Sequence, residues 1–260
     1  MRTYHQLTDP DRSGLAEQIG AQRRRVAERV ANIHRIVAVM SGKGGVGKSY
    51  VTANLGRAVA RSGDAVGVLD ADLNGPTIPG LLKAPAGAAA PAIGLDGVKC
   101  VSMGQFLGDG APLAFKGPSA ESFVWRGAME ASALREFLGD VDWGELDLLL
   151  LDLPPGMQRY VELCDIIGKP PPVLTVTIPT PESRDAVRRA VHTARERGSE
   201  LLGIVENMVG REYHGTAADD LAAEFAVPVV ARIPWHPTPE TWDQLASRIS
   251  NARRTTDDAR

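Results

Sequence analysis

The chain has 260 residues, 43% of them hydrophobic, so it is long enough to bury a substantial core in one α/β domain. Its acidic and basic residues nearly balance at a formal charge of -3, which excludes a global field that recruits nucleic acid or an anionic membrane. The two cysteines, Cys100 and Cys164, form no Cys-x-x-Cys pair, so neither a disulfide framework nor a zinc site is indicated.

The sequence also bears on the compartment. Met1 is followed by polar residues rather than an apolar signal region, and no apolar run approaches the roughly 20 residues that span a bilayer. Unpaired cysteines are typical of a reducing compartment. We therefore expect a cytoplasmic protein without a membrane segment, and nucleic acid is not an expected partner.

The first 34 residues are polar and rich in arginine. Four apolar residues recur there at near-helical spacing and predict an amphipathic helix: Leu15, Ile19, Val26 and Val30. We expect this N-terminal arm, residues 1–34, to dock on the edge of the main domain, residues 35–260. Alternatively, the run Arg23–Arg25 contacts phosphate or an acidic partner.

A phosphate-binding loop follows the first predicted strand, Ile36–Met40. The motif is Gly42-Lys43-Gly44-Gly45-Val46-Gly47-Lys48-Ser49, and a helix is predicted from Val46 to Arg61. Glycines let the backbone pass close to phosphate oxygens, and the helix N-terminus directs amide dipoles at them. Lys48 adds a positive charge against the β- and γ-phosphates of ATP, and Ser49 is placed to ligate magnesium.

Lys43 is an extra lysine near the start of this loop. Such a residue reaches a phosphate from outside the cradle, as an arginine finger does, and would then be catalytic. The alternative is a solvated loop residue without a role.

Carboxylates end two of the predicted strands. Asp70 and Asp72 follow the second strand, Ala65–Leu69, and Asp152 ends the apolar run Leu146–Leu151. The carboxyl ends of parallel strands border the ligand crevice. Asp72 is therefore a candidate to position or deprotonate the attacking water, and Asp70 and Asp152 are candidates to hold magnesium, partly through water. A helix cap or a plain strand-end turn is the alternative in each case.

Strand-like and helical stretches alternate through the rest of the chain. Further apolar runs lie at Val173–Ile178 and Leu202–Val205, with a helical stretch at Glu182–Arg197 between them. This alternation predicts an α/β fold with a mostly parallel sheet and helices on both faces, and together with the phosphate-binding motif it indicates the P-loop NTPase fold. Ala84–Gly97 is rich in alanine, glycine and proline and is predicted to be a mobile surface loop.

Together these motifs resemble the Mrp/ApbC group, ATPases with a deviant Walker A motif related to MinD, ParA and the nitrogenase iron protein. The resemblance covers about residues 35 to 240 and is carried by Lys43-Gly-Gly-Val-Gly-Lys-Ser49, Asp70-Ala-Asp72, Gly75-Pro76-Thr77-Ile78-Pro79, Val124-Trp125-Arg126-Gly127, Asp152-Leu-Pro-Pro-Gly156 and Gly203-Ile-Val-Glu-Asn-Met208. It implies a magnesium-dependent ATPase that forms a homodimer with ATP at the interface.

The resemblance also implies individual roles. Lys43 would reach the nucleotide of the partner subunit, and Asp72 would activate water. Asn207 would contact the adenine, and Ile233–Pro234 would shape the base pocket. Proteins of this group are thought to carry an iron–sulfur cluster on a Cys-Pro-x-Cys motif just after Glu-Asn-Met, but here Val209–Gly215 contains no cysteine. His214 is a weak substitute, so a bound iron–sulfur cluster is not expected.

Two further positions depart from the group. Tyr50 replaces the usual threonine, so its amide can still serve phosphate but its ring must fit against the nucleotide or rotate away. Met157-Gln158-Arg159 replaces the usual Thr-Gly-Asp, which suggests an altered response or partner.

Three functions remain open from the sequence. The first is an ATP-hydrolysing dimeric switch in iron–sulfur protein maturation or in loading an unknown client protein. The second is a cysteine-less paralogue that acts as a nucleotide-binding scaffold without cluster transfer. The third is a positioning ATPase like MinD or ParA, although the tail 247–260 lacks the apolar face of a membrane-targeting helix.

Overall fold

The computed structural model describes residues 15–73, 75–85, 91–105, 122–210 and 215–257. Eight strands form one sheet: β1 (Ile33–Ser41), β2 (Val66–Asp70), β3 (Ala92–Ile93), β4 (Lys99–Ser102), β5 (Leu146–Asp152), β6 (Val173–Thr177), β7 (Leu201–Val209) and β8 (Val229–Pro234). Their order is β3-β4-β2-β5-β1-β6-β7-β8, and every pairing except the short β3-β4 pair is parallel.

Helices cover both faces of this sheet. They are α1 (Leu15–Val30), α2 (Lys48–Arg61), α3 (Ile78–Leu82), α4 (Ser122–Gly139), α5 (Gln158–Ile167), α6 (Pro181–Glu196), α7 (Ala217–Phe225) and α8 (Pro239–Asp257). One face packs against α2, α3 and α8, and the opposite face packs against α1, α4 and α5. The predicted fold class is therefore confirmed.

The strands in the middle of the sheet are buried on both faces, as their unbroken apolar runs predict. In β5, Leu149, Leu150 and Leu151 are fully buried and alternate between the two cores. The register places Asp70 of β2 beside Asp152 of β5 at the carboxyl edge. Parallel pairing thus brings the two predicted carboxylates to the same edge, next to the end of β1.

Helix α1 packs on α4 through a buried apolar residue and two ion pairs. Val26 is 2% exposed, and a side chain at Gly139 would come within 3.2 Å of the Val26 backbone nitrogen. Arg25 pairs with Asp140 at 2.6 Å, and Arg29 pairs with Asp142 at 2.8 Å. The predicted arm thus contains a helix that shares a core with the sheet, and β1 begins at Ile33, ahead of the predicted domain start.

The prediction of a mobile loop over Ala84–Gly97 is wrong in its second half. Ala92–Ile93 pairs with β4, and Leu95–Gly97 forms a 3-10 turn. Pairing with an edge strand overrides the weak local propensity of this glycine- and alanine-rich stretch. Residues 86–90 lie outside the described part. None of the helices in the described ranges combines the length and the apolar character needed to cross a membrane.

Candidate nucleotide-binding site

The phosphate-binding loop joins β1 to α2, and its backbone requires glycine at two positions. Gly47 has φ +79°, and an added Cβ there would lie 2.3 Å from the Asn207 side-chain nitrogen. At Gly42 an added Cβ would lie 2.1 Å from the carbonyl carbon of Ala186 in α6. Both contacts are shorter than real Cβ atoms tolerate. Helix α2 therefore begins at Lys48, after the left-handed Gly47, rather than at the predicted Val46.

Three side chains of α2 converge on Asp152 at the end of β5. The Lys48 ammonium lies 2.6 Å from Asp152 Oδ1, and the Ser49 hydroxyl donates to Oδ2 at 2.6 Å. Thr52 donates to Oδ1 at 2.8 Å. Lys48 and Asp152 are 7% and 0% exposed, so this is a buried, charge-assisted cluster. Thr52 is not among the predicted site residues, although its position one helical turn after Lys48 is a usable signal.

Asp70 is the second carboxylate at this edge, and both of its oxygens already accept hydrogen bonds. Oδ1 accepts from the Asp72 amide at 3.2 Å. Oδ2 accepts from the amides of Thr77 and Ile78 at 3.0 and 3.1 Å and from the Ser102 hydroxyl at 3.2 Å. Asp70 thus holds Asp72, Thr77 and Ile78 to the sheet edge. Its role toward magnesium stays a prediction.

Burial also sets the ionisation of Asp70. The side chain is 1% exposed, and desolvation raises its pKa to about 7, with a further upward contribution from the Asp152 carboxylate. Backbone hydrogen bonds and Lys48 act in the opposite direction. The sheet edge therefore holds two close carboxylates, of which Asp152 has the ion pair with Lys48.

Asp72 and Lys43 lie at the open side of the loop. Asp72 is partly buried, and its Oδ1 accepts from the Gly75 amide at 3.2 Å. The Lys43 carbonyl accepts from the Ser41 hydroxyl at 3.0 Å, which fixes the backbone at the start of the loop. Within the described residues, the Lys43 ammonium has no hydrogen-bond or ion-pair partner. The water-activating role of Asp72 and the phosphate contact of Lys43 stay predictions.

Asn207 and Pro234 lie at the predicted base side of the loop. Asn207 is 3% exposed, and its side-chain amide donates to the Val46 carbonyl at 2.9 Å, which ties β7 to the loop. Pro234 ends β8 at an exposed position beside Val209, whereas Ile233 is fully buried. Asn207 thus lies against the loop and Pro234 lies opposite Val209 in the sheet, and the contact of either residue with a base stays a prediction.

The structure answers how the bulky Tyr50 is accommodated. Its ring packs edge-on against Trp242 of α8, with ring centroids 5.5 Å apart and an interplanar angle of 76°. Tyr50 is 40% exposed and Trp242 is 6% exposed. The ring thus packs on α8, and the contact of the Tyr50 backbone amide with phosphate stays a prediction.

Neither cysteine lies in a setting typical of an iron–sulfur cluster ligand. Cys100 is fully buried in β4, and burial raises the pKa of its thiol to about 12. Cys164 is 7% exposed in α5, and burial raises its pKa as well, as expected of a core thiol. No group of three or more histidine, cysteine or acidic side chains suited to a metal occurs among the residues that the structure describes. His214 lies outside them.

Comparisons with known proteins agree with this geometry. A family model described as NUBPL iron-transfer P-loop NTPase, of the ParA group, matches residues 32–257. An iron-sulfur cluster carrier protein of Saccharolobus solfataricus is 35% identical over 241 residues, covering 85% of this chain and 78% of that protein. The cytosolic Fe-S cluster assembly factor CFD1 of Chaetomium globosum is 34% identical over 240 residues, covering 80% and 76%.

Solved structures show the same fold. A nucleotide-binding protein from Archaeoglobus fulgidus in complex with ADP superposes with a TM-score of 0.67 at 33% identity, covering 86% of this chain and 91% of that one. The cell division ATPase MinD of Pyrococcus furiosus superposes with a TM-score of 0.60 at 20% identity, covering 84% and 99%. The resemblance to deviant Walker A ATPases drawn from the motifs is confirmed.

Proposed function

Because the chain belongs to the NUBPL iron-transfer P-loop NTPase family, we propose that it is a magnesium-dependent ATPase that dimerises on ATP and acts as a switch in iron–sulfur protein maturation or client loading. The observation that carries this proposal is the convergence of Lys48 and Ser49 on Asp152 at the N-terminus of α2. The relatives named as carriers and as a cytosolic assembly factor support a cytoplasmic role.

The residues present fit a magnesium nucleotide. Cβ atoms at Gly42 and Gly47 would clash with α6 and with Asn207, so only glycine lets the loop pack this closely on both elements. Ser49 and Asp152 offer the hard oxygen donors that magnesium prefers. Magnesium, when bound, neutralises the charge that develops on the phosphates. Ser49 and Asp152 would hold it, and Lys48 would exchange its contact with Asp152 for the β- and γ-phosphates.

The chain's own residues then account for hydrolysis. Asp72 accepts a proton from a water molecule as the water oxygen bonds to the γ-phosphorus. The bond between that phosphorus and the β–γ bridging oxygen breaks, which leaves ADP and phosphate. Lys43, whose ammonium has no partner in the described residues, stabilises charge on the phosphate of the partner subunit. This requirement for two subunits makes hydrolysis depend on dimerisation.

A second candidate function is favoured by the cysteines. Both are buried, and neither lies in the segment 209–215 where the family motif would stand. The chain therefore acts on iron–sulfur maturation through nucleotide-dependent contacts with another protein rather than by holding a cluster on its own thiolates. In this version it is a nucleotide-driven scaffold, and the cluster is the cargo of its partner.

Replacing Asp72 tests the dimeric switch. Asp72→Ala removes the proton acceptor but leaves Lys48, Ser49 and Asp152 in place, so ATP should bind without being hydrolysed. We expect an ATP-bound dimer, measured as a doubling of the mass in multi-angle light scattering with magnesium and ATP. Wild type with ADP serves as the control. A variant that binds ATP and remains monomeric at high protein concentration would contradict the proposal.

A further inference from the structure

Arg159 is a buried charge that the proposed hydrolysis does not use. It is the second residue of α5 and stands three residues after Gly156. Its side chain is 9% exposed. The guanidinium pairs with Glu130 of α4 and with Glu162 of α5, the latter at 2.5 Å. A buried cation between two carboxylates needs an explanation beyond surface solvation.

The two ion pairs of Arg159 differ in what they connect. Glu162 lies on the same helix, three residues later, so that pair survives any rigid movement of α5. Glu130 lies on α4, which shares few contacts with α5, so the Arg159–Glu130 pair changes when the two helices shift. Glu130 is also almost completely buried, with a side chain 10% exposed. The pair is thus an electrostatic link between two separate elements.

The guanidinium is incompletely satisfied in this arrangement. Its Nε is buried and has no hydrogen-bond partner among the described residues. A buried donor without an acceptor destabilises a structure. An arrangement that leaves one donor unpaired is not optimal for this side chain, so a small displacement of α5 that provides an acceptor is accessible. This is the property expected of an element with two discrete positions.

Along the chain, Arg159 lies between Tyr160, which is fixed in the core, and Gly156, which contacts the phosphate-binding loop. The next residue, Tyr160, is fully buried, and its hydroxyl donates to the Pro171 carbonyl at 3.1 Å. On the other side, the Gly156 amide donates to the Ser41 carbonyl at 3.4 Å, a long hydrogen bond to the start of the phosphate-binding loop. A displacement of the backbone at Gly156 therefore moves Arg159 before it moves α5 from Tyr160 onward.

We propose that Arg159 is a positioning residue: through its ion pair with Glu130 it ties the loop Pro154–Gly156 to helix α4, so that the nucleotide in the phosphate-binding loop sets the position of α4. Helix α4 carries Val124–Gly127 near its start. The far end of α4 is held by the exposed Arg25–Asp140 pair. The inference rests on the proposed function, because it requires a nucleotide whose state changes.

Hydrogen exchange of the full chain, with magnesium and either ADP or a non-hydrolysable ATP analogue, tests the link. In wild type we expect the exchange rate of α4 amides to differ several-fold between the two nucleotides. In Arg159→Met this difference should fall below about twofold, while the amides of residues 41–49 still respond. Arg25→Met is the matched control, because it removes an exposed ion pair just past the C-terminal end of α4 and should keep the α4 difference.

Glu130→Gln is the second variant, in case Arg159→Met fails to fold. It keeps the shape of the side chain and removes only the charge. Glu130→Gln should also abolish the difference in α4 hydrogen exchange between the two nucleotides. Arg159→Lys keeps the positive charge, so it should retain part of the difference that Arg159→Met loses. Survival of the α4 difference in the folded variants, or its absence in wild type while residues 41–49 respond, would overturn the inference. If residues 41–49 also fail to respond to nucleotide, the proposed function falls first and the inference with it.

Discussion

The phosphate-binding loop and the first turn of α5 each contain a buried cation paired with carboxylates, but the two cations are satisfied differently. Lys48 and Ser49 both contact Asp152. A magnesium nucleotide can replace each of these contacts with one of its own. Arg159 faces two glutamates and leaves one donor without a partner in the described chain. The first arrangement suits exchange with a ligand, and the second suits a movement of protein elements.

The contrast also separates what this chain shares with its relatives from what is its own. The loop and Asp152 keep the family pattern, and the segment 157–159 does not. The nucleotide site therefore predicts an activity common to the family. From the changed segment we expect a different response to nucleotide or a different partner, as an extension of the proposed function.

The largest expected effect comes from breaking the Lys48–Asp152 pair without a ligand. Lys48→Met leaves Asp152, which is 0% exposed, without its cation, and removing one partner of a buried pair costs about 3–5 kcal/mol. We expect a loss of this size in the free energy of unfolding by urea. The double variant Lys48→Met with Asp152→Asn should recover most of it. Equal instability of the single and double variants would show that the pair is not the cause.

Replacing Lys43 tests the catalytic role of the phosphate-binding loop. Lys43→Ala should lower ATP turnover at least about 100-fold, because a positive charge supplied to the transferred phosphate typically contributes 10³–10⁵ in rate. ATP affinity should change little, since Lys43 acts on the nucleotide of the partner subunit. Turnover and equilibrium binding of a fluorescent ATP analogue measure the two effects. Unchanged turnover would remove Lys43 from the mechanism.

A pH-dependent effect is expected from Asp70. Its pKa is about 7 in the folded chain against 3.8 for the free side chain. Between these values the unfolded chain ionises Asp70 and the folded chain does not, so this group contributes stability at low pH that is lost as the pH rises to about 7. The loss is at most about 4 kcal/mol.

The Asp70→Asn variant lacks this titration but also loses acceptors for the loop 71–78. Its stability relative to wild type should therefore increase from pH 5 to pH 8, whatever its absolute value, and urea unfolding without nucleotide measures it. A stability difference that stays constant over this range would show that the Asp70 carboxyl titrates normally.

Much of the site could be predicted from the sequence because its residues lie at strand ends that a parallel sheet brings together. The positions of Lys48, Ser49 and Asp152 follow from one motif and one apolar strand. The saturation of Asp70 by loop amides could not be predicted, because it depends on how residues 72–78 fold back. The Arg159–Glu130 pair joins residues 29 positions apart on two helices, and no local pattern specifies it.

Our proposal is that this chain hydrolyses ATP but holds no iron–sulfur cluster on its own cysteines. It is tested most directly by a magnesium-ATP turnover assay paired with an iron assay, both on the full chain purified anaerobically. We predict phosphate release that requires magnesium, together with iron far below one atom per subunit and no visible absorbance. Stoichiometric iron with visible absorbance, or no turnover at saturating magnesium-ATP, would contradict the account.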